Sequence, residues 1–76
     1  MMDELLKHKD AEGAIGDLAR ELIVIMNEFN AGELSLEEKN ELVTEVSKIY
    51  AEHDSADREV VARWAVSIAS TLTSVV

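Results

Sequence analysis

The chain of 76 residues contains no cysteine and no proline, and it has only three glycines. Without cysteine it can form neither a disulfide nor a thiolate zinc site. The two histidines, His8 and His53, cannot supply the four ligands of a structural metal site by themselves. Without proline, few positions force a helix to end. The fold must therefore depend on packing, and helix is the structure we expect by default.

Basic residues are scarce as well. Seven Lys and Arg stand against 16 Asp and Glu, which gives a net charge of -9. A surface this negative repels phosphate groups, and the basic residues are scattered, so we predict no direct binding of nucleic acid. The acidity is asymmetric, because residues 1–29, 30–54 and 55–76 carry net charges of -4, -5 and 0.

Long apolar runs are also missing. The longest uncharged stretch, 64–76, has 13 residues, fewer than the roughly 20 that a membrane span requires. The first ten residues alternate in charge and do not resemble a secretory signal. We therefore predict no membrane association and a cytoplasmic location, with which the lack of cysteine is compatible.

The remaining composition indicates a folded chain. It is 47% hydrophobic and 30% charged, which is too apolar for a disordered segment. A chain of this length permits one small domain, and we find no internal repeat or linker. Residues 1–76 are therefore predicted to form a single helical domain.

A heptad seam predicts the first helix, over residues 3–29. Its apolar positions alternate at spacings of four and three residues and are Ala11, Ile15, Leu18, Leu22, Ile25 and Phe29. Gly13 and Gly16 lower the helix propensity, so the part before Ile15 either frays or begins a separate turn, and small residues there can admit a neighbouring backbone. Residues 22–26 are all apolar and cover most of the circumference, so we expect contacts on two sides.

The clearest boundary in the chain precedes the second helix, predicted over 36–53. Asn30 and Gly32 suit the end of a helix. Ser35 and Glu38 match the S-x-x-E capping box, in which each side chain accepts a hydrogen bond from the backbone N–H of the other residue.

The third helix is predicted over 55–74, after a cap at Asp54 or Ser55. The fold class is therefore all-α, either a small three-helix bundle or a helical hairpin with a C-terminal helix. No residue after Arg63 is charged, and two thin helices have limited ability to cover such a weakly polar cylinder.

We therefore expect oligomerisation to complete the bundle. The predicted self-association interface combines the third helix with the excess apolar width of the first, at Ile23, Met26, Val61, Trp64, Ile68, Leu72 and Val75. The alternative is a compact monomer in which the Ser and Thr hydroxyls of the third helix face water. Trp64 is an anchor of the core in the second case and of the subunit interface in the first.

Glu37, Glu41 and Glu45 recur every four residues and therefore lie on one face of the second helix. One interpretation is a solvated face that keeps the protein soluble. The other is a docking face for a basic protein partner.

The sequence has no motif that is typical of catalysis, of cofactor binding or of metal binding. Neither histidine has a second histidine or a cluster of carboxylates at ligand spacing, and Gly13-Ala14-Ile15-Gly16 is too short for a dinucleotide fingerprint. Aligning Gly13 with the glycine of a calcium loop puts His8 and Ala19 at ligand positions, so that match fails. We predict no catalytic residue, no cofactor and no metal.

The function that these features favour is a non-enzymatic, acidic protein–protein interaction or accessory protein that self-associates. The alternative is an acidic inhibitor or nucleic-acid mimic that binds a basic groove on a partner protein.

Overall fold

The chain folds into four α-helices, and the computed structural model describes them over residues 2–52 and 58–74. They are α1 (Met2–His8), α2 (Ala14–Asn30), α3 (Leu36–Glu52) and α4 (Arg58–Thr73). Those two ranges contain no strand, so the prediction of an all-α fold is confirmed. The proposed caps Asp54 and Ser55, as well as His53 and Val75, lie outside the described residues.

The helix predicted over 3–29 is in fact two helices, and two glycines permit the turn of the chain between them. Gly13 has φ 80° and ψ -158°, a backbone conformation that residues with a side chain rarely adopt, and α2 begins just after it. Gly16 lies in the first turn of α2 under the returning chain, where a Cβ atom would be 1.7 Å from the carbonyl oxygen of Ala11. The segment 9–13 can therefore turn back across the start of α2 only because residue 16 has no side chain.

The turn between α2 and α3 follows the predicted boundary. Gly32 has φ 79°, and its N–H donates to the carbonyl of Phe29 at 3.0 Å. The backbone N–H of Ser35 donates to Glu38 Oε1 at 2.9 Å, and that of Glu38 donates to Ser35 Oγ at 3.1 Å. The capping box is thus confirmed, and it satisfies two backbone donors at the start of α3.

The core lies among α2, α3 and α4, and α1 adds one leucine to it. Its buried members are Leu5, Leu18, Leu22, Ile25, Val43, Ala65, Ile68 and Leu72. Each fully buried leucine contributes about 1.5–3 kcal/mol. α2 contacts all three other helices, which explains its wide apolar surface, although Val24 remains 56% exposed.

A lysine also lies in this core. Lys39 is 0% exposed, and its Nζ donates to the carbonyl oxygen of Leu72 at 2.6 Å. The same Nζ lies 5.2 Å from the centroid of the Phe29 ring. Burial lowers the pKa of Lys39. The last carbonyls of a helix carry its negative pole, so the ammonium group of Lys39 caps the C-terminal end of α4.

The position of α4 determines how much of the predicted self-association interface is buried within one chain. Val61, Ile68 and Leu72 are 2%, 4% and 0% exposed within one chain, so as folded they offer no surface to a second copy. α3 packs along α4, and the ring of His8, from α1, lies 5.1 Å from that of Trp64. Within one chain, α3 and α1 thus cover part of α4.

The hydroxyl groups at the end of α4 form hydrogen bonds with the backbone of the same helix. Thr71 and Thr73 donate to the carbonyls of Ser67 and Ala69 at 3.0 and 2.8 Å. Ser74 donates to the carbonyl of Thr71 at 3.0 Å. These side chains thus satisfy much of their hydrogen bonding on their own helix.

Candidate protein-binding surface

The acidic face, formed by Glu37, Glu41 and Glu45, lies on the outer side of α3, and all three residues are exposed. The ion pairs formed by the Lys and Arg side chains that the structure describes are Asp17–Arg20 and Glu59–Arg63, so none of these basic side chains neutralises any of the three carboxylates. The three residues thus lie on an exposed face of α3. They form a row of negative charge with which none of these basic side chains pairs.

Glu38 adds a fourth carboxylate beside this row. The hydrogen bonds from the backbone N–H of Ser35 and from its hydroxyl lower the pKa of Glu38. The positive pole at the start of α3 favours the same charged form. Glu38 therefore stays ionised well below neutral pH.

A groove of about 450 Å³ opens between the start of α2 and the second half of α3. We call it the α2–α3 groove, and it is lined by Gly13, Ala14, Asp17, Glu21, Val46, Ile49 and Tyr50. Its physical origin is a difference in side-chain size. Gly13 and Ala14 carry at most a methyl group, so the start of α2 leaves room beside the large apolar side chains of α3.

The walls of the groove differ in chemistry. Val46, Ile49 and the half-buried Tyr50 provide apolar surface, and Ile49 remains 58% exposed. Asp17 and Glu21 provide carboxylates on the α2 side. None of the described residues that line the groove is basic, so its rim is negative and its floor apolar.

The charge of the rim depends on the pairing of its two carboxylates and on the ionisation of Tyr50. Asp17 pairs with Arg20, whose Nη1 also donates to the carbonyl of Lys9 at 2.6 Å. Glu21 forms no ion pair with any residue in the described ranges. Burial, followed by the negative charges of Glu21 and Asp17, raises the pKa of Tyr50. The phenol therefore remains a neutral hydrogen-bond donor, and Glu21 supplies the unmatched charge.

A second depression of about 200 Å³ extends this surface along α3. It is lined by Glu38, Glu41, Leu42 and Glu45. Leu42 and Glu45 stand one helical turn before Val46 and Ile49, so the depression and the α2–α3 groove follow each other on one side of α3. At 1.5 Å per residue, the strip from Glu38 to Tyr50 is about 18 Å long.

The groove was not identified from the sequence. It depends on small residues of one helix facing large residues of another, and the pairing of the two helices is not a local property. The available signals were the small Gly13-Ala14 pair and the isoleucine Ile49 near the acidic row.

Metal binding and membrane insertion are two further functional classes on which the structure bears. Among residues 2–52 and 58–74, no three His, Asp or Glu side chains come together as a metal site would require. Within the same ranges, none of the helices combines the length and hydropathy needed to cross a bilayer. Comparison with models of protein families, with curated proteins and with solved structures yields no match to this chain.

Proposed function

We propose that this protein is a non-enzymatic, acidic interaction protein that binds a basic surface of a partner protein through the acidic face of α3. The single observation that carries this proposal is the row of exposed carboxylates that no Lys or Arg neutralises within the described residues. The proposal corresponds to the acidic-inhibitor or nucleic-acid-mimic alternative suggested by the sequence.

The electrostatics of α3 give the physical reason. Glu37, Glu41 and Glu45 repel one another at a cost of a few tenths of a kcal/mol per pair. A basic partner would relieve this repulsion and form new ion pairs, and the net charge of -9 would accelerate its approach. Such binding is sensitive to salt because most of the charges remain near water.

The decisive experiment compares two triple variants of equal charge. One neutralises the acidic face (Glu37→Gln, Glu41→Gln, Glu45→Gln), and the control neutralises exposed acids elsewhere (Asp10→Asn, Glu12→Gln, Glu33→Gln). The probe is a synthetic alanine helix with a lysine at every fourth residue, and its binding is measured by fluorescence anisotropy over a range of salt concentrations.

The face variant should bind the probe about 3-fold to 150-fold more weakly than the control, since each exposed ion pair contributes about 0.2–1 kcal/mol. Binding by the wild type should weaken as salt increases. Equal losses in the two variants would show that net charge alone acts, and salt-independent binding would exclude an electrostatic face. Either result would reject the proposal.

Self-association is a second proposal, on a revised surface. Val60 and Val66 of α4 remain 58% and 64% exposed and are apolar residues that a second copy could cover. Ile23 and Met26, the α2 part of the original interface, are half-buried against the core. Sedimentation velocity tests this proposal, and a monomer at every concentration up to the high micromolar range would reject it.

A further inference from the structure

The α2–α3 groove leaves apolar surface in contact with water. Ile49 is 58% exposed, although a fully buried isoleucine stabilises a protein by about 1.5–3 kcal/mol. Val46 and Tyr50 lie beside it in the floor of the groove. A ligand with apolar side chains would therefore gain stability from covering this floor.

The charges around the groove restrict the chemistry of that ligand. Asp17 and Glu21 stand at one wall, and Glu41 and Glu45 line the depression that continues the strip. Arg20, the basic residue bound to Asp17, is already held by that carboxylate and by the carbonyl of Lys9. An acidic ligand would be repelled, and a neutral apolar ligand would desolvate carboxylates without giving them a partner. A ligand that is both apolar and basic satisfies the floor and the rim together.

A second copy of this chain does not have that chemistry. The chain has seven basic residues against 16 acidic ones, and its basic residues are scattered along the sequence. A second copy would bring further carboxylates to the acidic rim. The occupant must therefore be a different molecule.

The geometry points to a basic amphipathic helical segment of the partner protein, which we propose binds with its apolar side chains in the α2–α3 groove and a lysine or arginine beside Glu21. The strip of about 18 Å matches about 12 helical residues at 1.5 Å each. The inference rests on the proposed function and refines it. The acidic face attracts the basic partner, and the groove selects partners that also carry an apolar face.

The test uses three synthetic helices of equal length. The first combines leucines on one face with flanking lysines, the second replaces the leucines by alanine, and the third replaces the lysines by glutamine. Binding of each is measured by fluorescence anisotropy against the wild type and the variants Ile49→Ser and Glu21→Gln. Both substitutions change exposed side chains, so the fold should be retained, and circular dichroism verifies this.

The leucine–lysine helix should bind the wild type roughly tenfold more tightly than the alanine–lysine helix. Ile49→Ser should abolish this difference, whereas the matched control Val66→Ser, which truncates an equally exposed apolar residue of α4, should preserve it. Glu21→Gln should weaken both lysine helices but leave the difference between them. Amide chemical shifts of residues 46–50 should move on addition of the leucine–lysine helix.

Three results would overturn the inference. Equal binding of the leucine–lysine and alanine–lysine helices would show that the groove is not used. Equal effects of Ile49→Ser and Val66→Ser would place the apolar contact elsewhere, and tight binding of the leucine–glutamine helix would identify an apolar rather than a basic occupant. In the first two cases the proposed function still stands if the neutralised acidic face lowers the affinity. It fails if that variant and its control bind alike, or if binding does not depend on salt.

Discussion

Replacing Gly16 with alanine has two opposing effects on stability: it raises the helix propensity of α2, and it adds a Cβ atom where there is no room for one. In a helix, alanine is favoured over glycine by up to about 1 kcal/mol. Here, however, the new Cβ atom would lie 1.7 Å from the carbonyl oxygen of Ala11 and 2.7 Å from its carbonyl carbon. Since unstrained atoms stay about 3.5 Å apart, the obstructing backbone would have to move by roughly 2 Å. We therefore expect Gly16→Ala to displace the segment 9–13.

The cost follows from what that segment holds in place. It connects α2 to α1, whose Leu5 is 0% exposed and whose His8 lies with its ring centroid 5.1 Å from that of Trp64. Losing the burial of Leu5 costs about 1.5–3 kcal/mol, and losing the ring contact costs about 0.5–1.5 kcal/mol. After subtraction of the gain in helix propensity, the variant should be less stable by about 1–3.5 kcal/mol.

Urea unfolding and the emission of Trp64, the single tryptophan, measure the two consequences. Gly16→Ala should lower the unfolding midpoint and shift the emission to longer wavelength as α1 leaves Trp64. The control is Gly32→Ala, which has φ 79° but nothing within 4 Å of its added Cβ. It should cost about 1–2 kcal/mol of backbone strain and leave the native emission unchanged. A Gly16→Ala variant with unchanged emission and equal or greater stability would refute the close approach.

Two further substitutions probe polar groups buried on α3. Burial lowers the pKa of Lys39 from 10.5, so the unfolded chain binds the ammonium proton of Lys39 more tightly than the folded protein does. The wild type should therefore gain stability relative to Lys39→Met as the pH rises toward 10.5. Urea unfolding from about pH 8 to about pH 11 measures this gain, and a difference that does not vary with pH would argue against a charged Lys39 in the core. Ser47 Oγ is buried with no hydrogen-bond partner in the described part of the chain. Ser47→Ala should therefore raise the free energy of unfolding by about 1 kcal/mol, and the urea midpoint should rise with it. A lower midpoint would indicate that the hydroxyl is satisfied, for example by a bound water.

Local patterns of the sequence were sufficient for most of the helical structure. The capping box of Ser35 and Glu38 marked the start of α3 because it involves residues three positions apart. The exposure of the acidic face followed from spacings of four residues on one helix. In each case the physical information lies within one turn of the chain, so no knowledge of the tertiary contacts was needed.

The break between α1 and α2 was concealed by a regular apolar spacing. Ala11 continues the heptad seam of α2 in sequence, but in the structure it belongs to the returning segment that lies against Gly16. The glycines indicated weakness at this point and room for a neighbouring backbone, and both indications are confirmed. What the sequence lacked was the direction of the returning chain, which depends on the distant contact between His8 and Trp64.

The burial of Lys39 is a second feature that local sequence patterns do not predict. It stands among Glu37, Glu38, Asn40 and Glu41, a context that indicates a solvent-facing position. Its burial has a tertiary cause, because α4 ends beside α3 and the carbonyl of Leu72 needs a donor there. The α2–α3 groove escaped prediction for a similar reason, since its volume is set by residues of two helices.

The stability of the fold gives no reason for the acidic face. α3 packs against both α2 and α4, and this support allows it to tolerate a repulsion of a few tenths of a kcal/mol per pair that would weaken an isolated helix. Solubility requires a net charge, but it would be served equally by carboxylates spread over the whole surface. Three carboxylates in one row, in contrast, form a continuous negative surface that complements a basic partner. If this reasoning holds, the triple glutamine variant of the face should be no less stable than the wild type while it loses affinity for the lysine helices.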